Sequence, residues 1–167
     1  QRFLQRLWRN VVDEESGEVR VTDEAFDADT ERLLHQTIAA VSQDYGSLGF
    51  NTAIARLIEL NNALTKLKAV PRAAIEPLVL MVAPVAPHLA EELWSRLGHP
   101  DSLAHEDFPV ADPSKMVEAS VTCVIQIKGK VRDRLEVPAD ISEADLEELA
   151  LGRDKVRAAT EAGVRKV

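Results

Sequence analysis

The apolar positions of this chain keep a helical period for about the first hundred residues and then switch to alternation. Phe3, Leu4, Leu7, Trp8 and Val11 recur at three- and four-residue steps, which predicts an opening helix. Arg2, Arg6 and Arg9 form a second, basic stripe on it. Asp13 to Val21 is a polar connection with a glycine. Asp29 or Thr30 is the expected cap of a second helix reaching about Tyr45, with Leu33, Leu34, Ile38, Val41 and Tyr45 as its apolar edge. Gly46 and Gly49 punctuate. Asn51 is the expected cap of a third helix, whose stripe is Ile54, Leu57, Ile58, Asn61 and Leu64. Lys66 and Lys68 suit the negative end of its dipole, and Pro71 opens a fourth element.

Ile75 to Gly98 is the stretch around which the rest is organised. Leu78 to Val82 is apolar without a break, as expected of a buried helix. Ala83-Pro84 interrupts it, and Pro87 restarts a helix at a first-turn position, where a missing N–H costs nothing. Ala86, Leu89, Ala90, Leu93, Trp94 and Leu97 then fall within one arc of roughly 140°. His88, Glu91, Glu92, Ser95 and Arg96 take the other side, and Gly98 stands where a C′ glycine belongs.

His99 to Ser114 holds three prolines and has neither period. Past it, Val117, Ala119, Val121, Cys123, Ile125 and Ile127 alternate with their neighbours, as in a strand. Gly129 supplies a turn, and Val131, Asp133, Leu135 and Val137 alternate with Arg132, Arg134 and Glu136 on the way back. Ser142 with Asp145 resembles a capping box for a helix with Leu146, Leu149 and Ala150 facing inward. Gly152 breaks it, a further turn or two reaches Ala159, and Gly163 to Val167 would begin another strand. The predicted fold is mostly α. An antiparallel helical bundle over 1–98 and a proline-rich linker over 99–116 lead to a small α+β unit over 117–167, truncated at its last strand.

Composition narrows the classes. The 167 residues are 46% hydrophobic and 29% charged, ordinary for a soluble globular chain. No apolar run approaches the roughly 18 residues of a membrane span, and the first residues lack a signal-peptide layout, so a cytoplasmic protein without membrane contact is expected. A single cysteine, Cys123, excludes an internal disulfide and a cysteine-rich zinc site. The chain opens on Gln1 and stops within an apparent strand, so it reads as a fragment of something longer. Residues 1–116 carry 11 basic and 18 acidic side chains, and residues 117–167 carry 9 and 10. An acidic total argues against nucleic-acid binding by charge alone but leaves room for local basic patches.

No catalytic constellation emerges. His35, His88, His99 and His105 lie in separate segments without the i, i+4 spacing of a metal helix. Phosphate-loop, dinucleotide and nucleophile-elbow motifs are absent. Glu91-Glu92 and Glu147-Glu148 are adjacent pairs that point to different sides of their helices. What remains is recognition. Lys128, Lys130, Arg132 and Arg134 against Asp133 make a basic hairpin, and the alternation places Lys130, Arg132 and Arg134 on one strand face, about 6.6 Å apart at each two-residue step. Such a row can donate to successive phosphates, while a solvated face that discourages edge pairing is the alternative from the residues alone. The same two readings apply to Arg2, Arg6 and Arg9.

The central MVAPVAPHLAEELWSRLG resembles a stretch of the anticodon-binding helical domain of class I aminoacyl-tRNA synthetases for aliphatic amino acids. RFLQRLWR at Arg2 to Arg9 looks like the helix where that domain starts. Val124 to Asp140 (VIQIKGKVRDRLEVPAD) is similar to the C-terminal signature of the bacterial leucyl-tRNA synthetase family. The resemblance implies a tRNA-Leu-binding fragment with Lys130, Arg132, Arg134, Lys128, Arg2, Arg6 and Arg9 as candidate RNA contacts. It implies a monomer that relies on upstream catalytic and editing domains, where ATP and Mg2+ would act. The fragment itself is expected to need no cofactor and to catalyse nothing. Lys128 departs from the family's asparagine before Gly129, and the segment that follows VRKV in the family is absent. Two alternatives stay open: the equivalent piece of a valyl or isoleucyl enzyme, and a non-enzymatic helical module that binds a partner protein.

Overall fold

The computed structural model describes residues 1–117, 120–127, 129–139, 141–153 and 155–157. It divides into two compact units, Gln1–Met116 and Val117–Val167. The first is helical: α1 (Arg2–Val11), α2 (Ala28–Gly46), α3 (Phe50–Leu64), α4 (Arg72–Val82) and α5 (Pro87–Arg96). A three-residue turn forces α2 and α3 antiparallel, and Tyr45 near the end of α2 donates to the carbonyl of Met81 near the end of α4, 2.8 Å away. The chain therefore runs up, down and up again through these helices.

The stripes meet in one core. Leu7 and Val11 of α1, Leu34, Ile38 and Val41 of α2, and Leu57, Leu60 and Leu64 of α3 are buried together. On α4, Ile75, Leu78, Val79, Met81 and Val82 are fully buried, while Leu80, in the middle of the unbroken apolar run, is only half-buried. Ala90, Leu93, Trp94 and Leu97 at α5 close the cluster. No helix among the described residues is long and apolar enough to cross a membrane.

Two helix starts differ from expectation. The cap of α2 is Asp27, whose carboxylate accepts from the Thr30 N–H at 2.8 Å and the Thr30 hydroxyl at 2.8 Å. Thr30 is thus the capped residue, and the helix starts earlier than its spacing suggests. The hydrogen bond from the Thr30 backbone, above all, lowers the Asp27 pKa from its ordinary value. Asn51 lies inside α3, which begins at Phe50 without a side-chain cap. The α2–α3 corner explains why. Leu48, at φ 60°, takes the left-handed position usual for glycine, with the Gly49 N–H bonding to the Asp44 carbonyl at 2.7 Å and the Leu48 N–H to Tyr45 at 3.1 Å. A Cβ on Gly49 would meet the Thr52 hydroxyl at 3.0 Å and the Asp44 carbonyl at 3.3 Å, so these neighbours would have to give by a few tenths of an ångström.

The end of α5 follows the expected pattern. Gly98 sits at φ 100°, its N–H bonds to the Ser95 carbonyl at 3.0 Å, and the His99 N–H reaches back to Trp94 at 3.3 Å. Open space surrounds the missing side chain, so only the backbone resists substitution. Gly98→Ala is expected to cost about 1–2 kcal/mol in urea unfolding. A change below about 0.3 kcal/mol would show that the left-handed turn is not required.

Nothing in the periodicity marks a two-stranded parallel pair, β1 (Val21–Thr22) with β2 (Val70–Pro71), which ties the segment after α1 to the start of α4. The proline-rich segment lies on the bundle. Leu103 is buried there, Phe108 and Ala111 pack against the core, and His35 Nδ1 accepts the Asp112 N–H at 3.0 Å.

The second unit holds β3 (Ser120–Ile127), β4 (Lys130–Pro138) and α6 (Glu143–Leu151). Ser142 caps α6 by accepting the Asp145 N–H at 3.2 Å. The Asp145 carboxylate bonds the Ser142 hydroxyl at 2.6 Å instead of reaching the backbone, so the capping box is half made. Leu149, expected to face inward, is 48% exposed. Its neighbours Leu146 and Leu151 are only half-buried. The expected strand at Gly163 to Val167 and the end of the last turn at Ala159 lie outside the described residues.

Candidate nucleic-acid interface

β3 and β4 pair antiparallel from Ser120–Pro138 through Cys123–Leu135, Val124–Arg134 and Ile125–Asp133. There the register shifts: Gln126 pairs with Val131 and Ile127 with Lys130. Arg132 is the extra residue, a β-bulge in β4. Directly opposed residues share a face of a sheet. Arg134, opposite exposed Val124, therefore lies on the outer face with Thr122 and Glu136. Past the bulge Val131 moves onto that face and is 55% exposed, while Lys130 takes the face of Ile127.

This corrects the expected geometry. Lys130, Arg132 and Arg134 do not form one evenly spaced row, because the inserted residue flips the alternation between Arg134 and Lys130. All three are nonetheless exposed, and their side chains make no ion pair or hydrogen bond among the described residues. Gly129 carries the turn at φ 75°. Lys128, the fourth hairpin candidate, lies outside the described residues.

Between the two arginines Asp133 turns the other way. Its Oδ2 lies 2.9 Å from Arg153 Nε and its Oδ1 3.4 Å from Lys155 Nζ, and the side chain is only 11% exposed. The Arg153 hydrogen bond first, with the Arg134 backbone N–H and Lys155 adding to it, holds the Asp133 carboxyl below the ordinary carboxylate range. Asp133, Gly152, Arg153 and Lys155 line a solvent-open hollow of about 310 Å³. The sequence marks Asp133 as inward-facing but does not reveal its partners, which lie 20 and 22 residues further on.

The bundle's arginines are placed differently from one another. Arg6 donates to the Asn62 side chain, and Arg9 Nε pairs with Glu14 at 2.9 Å. Arg2 is exposed without such a partner among the described residues. The basic stripe of α1 is therefore partly engaged in structure. Among the described residues, no group of His, Cys, Asp and Glu is arranged to hold a metal ion.

A helical bundle of this kind, followed in the chain by a hairpin whose exposed cations make no ion pair among the described residues, defines a class. Residues 27–148 match the anticodon-binding domain of tRNA ligases, and the chain belongs to that family. The chain is 60% identical over 168 residues to the leucine–tRNA ligase of Streptomyces avermitilis, covering 99% of this chain and 18% of that protein. It is 61% identical over 150 residues to that of Bifidobacterium adolescentis, covering 90% and 15%. A solved structure, the ternary complex of Agrobacterium radiobacter K84 agnB2 LeuRS with tRNA and LeuAMS, matches 95% of this chain and 21% of that one at 27% identity and a TM-score of 0.65. The chain thus spans about a fifth of the length of these relatives.

Proposed function

We propose that this chain is the tRNA-positioning part of a leucyl-tRNA synthetase, holding tRNA-Leu by its backbone while leucine is attached at a site elsewhere in the protein. The observation that carries the reading is the hairpin. Lys130, Arg132 and Arg134 stand exposed there, unpaired among the described residues, while the intervening acidic residue is withdrawn. Phosphate contacts position a nucleic acid without reading its sequence, and each of them releases counterions. Similarity to leucine–tRNA ligases and to a LeuRS–tRNA complex supports the choice of ligand. Because the bulge separates the faces, the cations suit a backbone that wraps the tip of the hairpin.

The test is Lys130→Ala, Arg132→Ala and Arg134→Ala together in the full-length enzyme. Aminoacylation should need about tenfold more tRNA, and the salt slope of binding should fall by just under one unit for each phosphate that is no longer neutralised. Pyrophosphate exchange, which needs no tRNA, should change less than about twofold. Unchanged tRNA dependence would overturn the proposal, and an equal loss in both assays would reveal misfolding.

A further inference from the structure

We infer that Asp133 is a positioning residue for the RNA-facing hairpin: it clamps the turn after α6 to β4 and so fixes the bulge that presents Arg132 and Arg134. The inference rests on the proposed function of that hairpin. An aspartate between two arginines, facing a polyanion, would ordinarily oppose binding. Here the carboxylate is turned to the face of Ile125, its register partner, and both of its oxygens are occupied. Arg153 and Lys155 remain largely exposed at 48% and 73%, so the burial is of the acid and not of the cations.

The location gives the clamp its purpose. Asp133 directly follows the extra residue and is the last pair before the register shift. A bulge leaves one residue unpaired and disrupts the ladder, so neighbouring contacts must hold it in place. Asp133 supplies them, tying β4 next to the bulge to Arg153 and Lys155 in the segment after α6. The geometry also prevents the carboxylate from pairing with Arg132 or Arg134, which leaves both free for phosphate.

A bystander acid and a positioning acid predict opposite signs. Neutralising a bystander near bound phosphates tightens binding, because one repulsive charge disappears. Neutralising the clamp lets the bulged strand shift and weakens it. The experiment measures tRNA-Leu affinity of the full-length enzyme for Asp133→Asn, for Asp133→Glu, for the triple alanine variant, and for Asp133→Asn within the triple variant. The expected results are a roughly three- to tenfold loss for Asp133→Asn, recovery to within about twofold for Asp133→Glu, and no further loss from Asp133→Asn once the three cations are gone. Unchanged or tighter binding by Asp133→Asn, with the triple variant weakened, would overturn the clamp and leave the hairpin reading intact. Equal losses in both backgrounds would also overturn it, since Asp133 would then act through general folding or another part of the RNA surface. A triple variant that binds normally would remove the hairpin reading, and the clamp with it.

Discussion

Replacing Trp94 with alanine is expected to lower the stability of the bundle by about 3–5 kcal/mol, the range found for large aromatic truncations in cores. Trp94 is 5% exposed on the inward arc of α5, beside fully buried Leu93 and Ala90. Its ring lies flat on the His99 imidazole, with centroids 3.6 Å apart and an interplanar angle of 6°. That stack joins the last turn of α5 to the first residue after its glycine stop, so truncation opens a cavity and frees the chain exit together. Trp94 Nε1 has no hydrogen-bond partner among the described residues. Trp94→Phe therefore removes an unsatisfied donor along with part of the ring, and a loss below about 2 kcal/mol is expected. Urea unfolding followed by Trp8 fluorescence reports the bundle alone, since the second unit contains no tryptophan. A loss under about 1 kcal/mol for Trp94→Ala would mean that α5 is not anchored through this face.

The core is legible wherever one period holds over a whole helix. Leu34, Ile38 and Val41, or Leu93, Trp94 and Leu97, follow from spacing alone because a single helix face must be buried. Prolines are ambiguous: Pro84 lies past the end of α4 as expected, yet Pro77 lies within that helix. Leu48 defeats glycine-based punctuation, since the left-handed residue at the α2–α3 corner is neither Gly46 nor Gly49. The hairpin departs from its pattern in a more instructive way. Alternation correctly sorts Cys123 from Val124 and Leu135 from Arg134, then fails at Arg132. A bulge is one residue of excess in a pairing partner, so it leaves no periodic mark on either strand by itself. Ion pairs such as Asp133 with Arg153 are invisible for a related reason: they depend on which segments the fold brings together.

Arg72→Met is expected to cost about 2 kcal/mol, although the side chain is a third exposed. One guanidinium adds polar ties among three elements that already share the apolar core. Nη1 donates to the carbonyl of Leu97, the capping residue of α5, at 2.7 Å and to Glu76 Oε1 at 3.1 Å, while Nε reaches Asp23, just past β1, at 3.0 Å. The hydrogen bond to Glu76 chiefly raises the Arg72 pKa, and His99 Nε2 meets the same Glu76 oxygen at 2.9 Å. Methionine preserves most of the buried stem but none of these donors, leaving the Leu97 carbonyl without its charged partner. The arms are unequal. The Asp23 side chain is 85% exposed, so that pair is screened and Asp23→Asn should cost under about 0.5 kcal/mol. Arg72→Lys should recover less than half of the loss, because one ammonium cannot reproduce a planar fork reaching three acceptors. Equilibrium urea unfolding of the three variants, again by tryptophan fluorescence, separates these contributions. If Asp23→Asn proves as damaging as Arg72→Met, the exposed ion pair matters more than the helix-end carbonyl, and the stabilising arm is the one to Asp23.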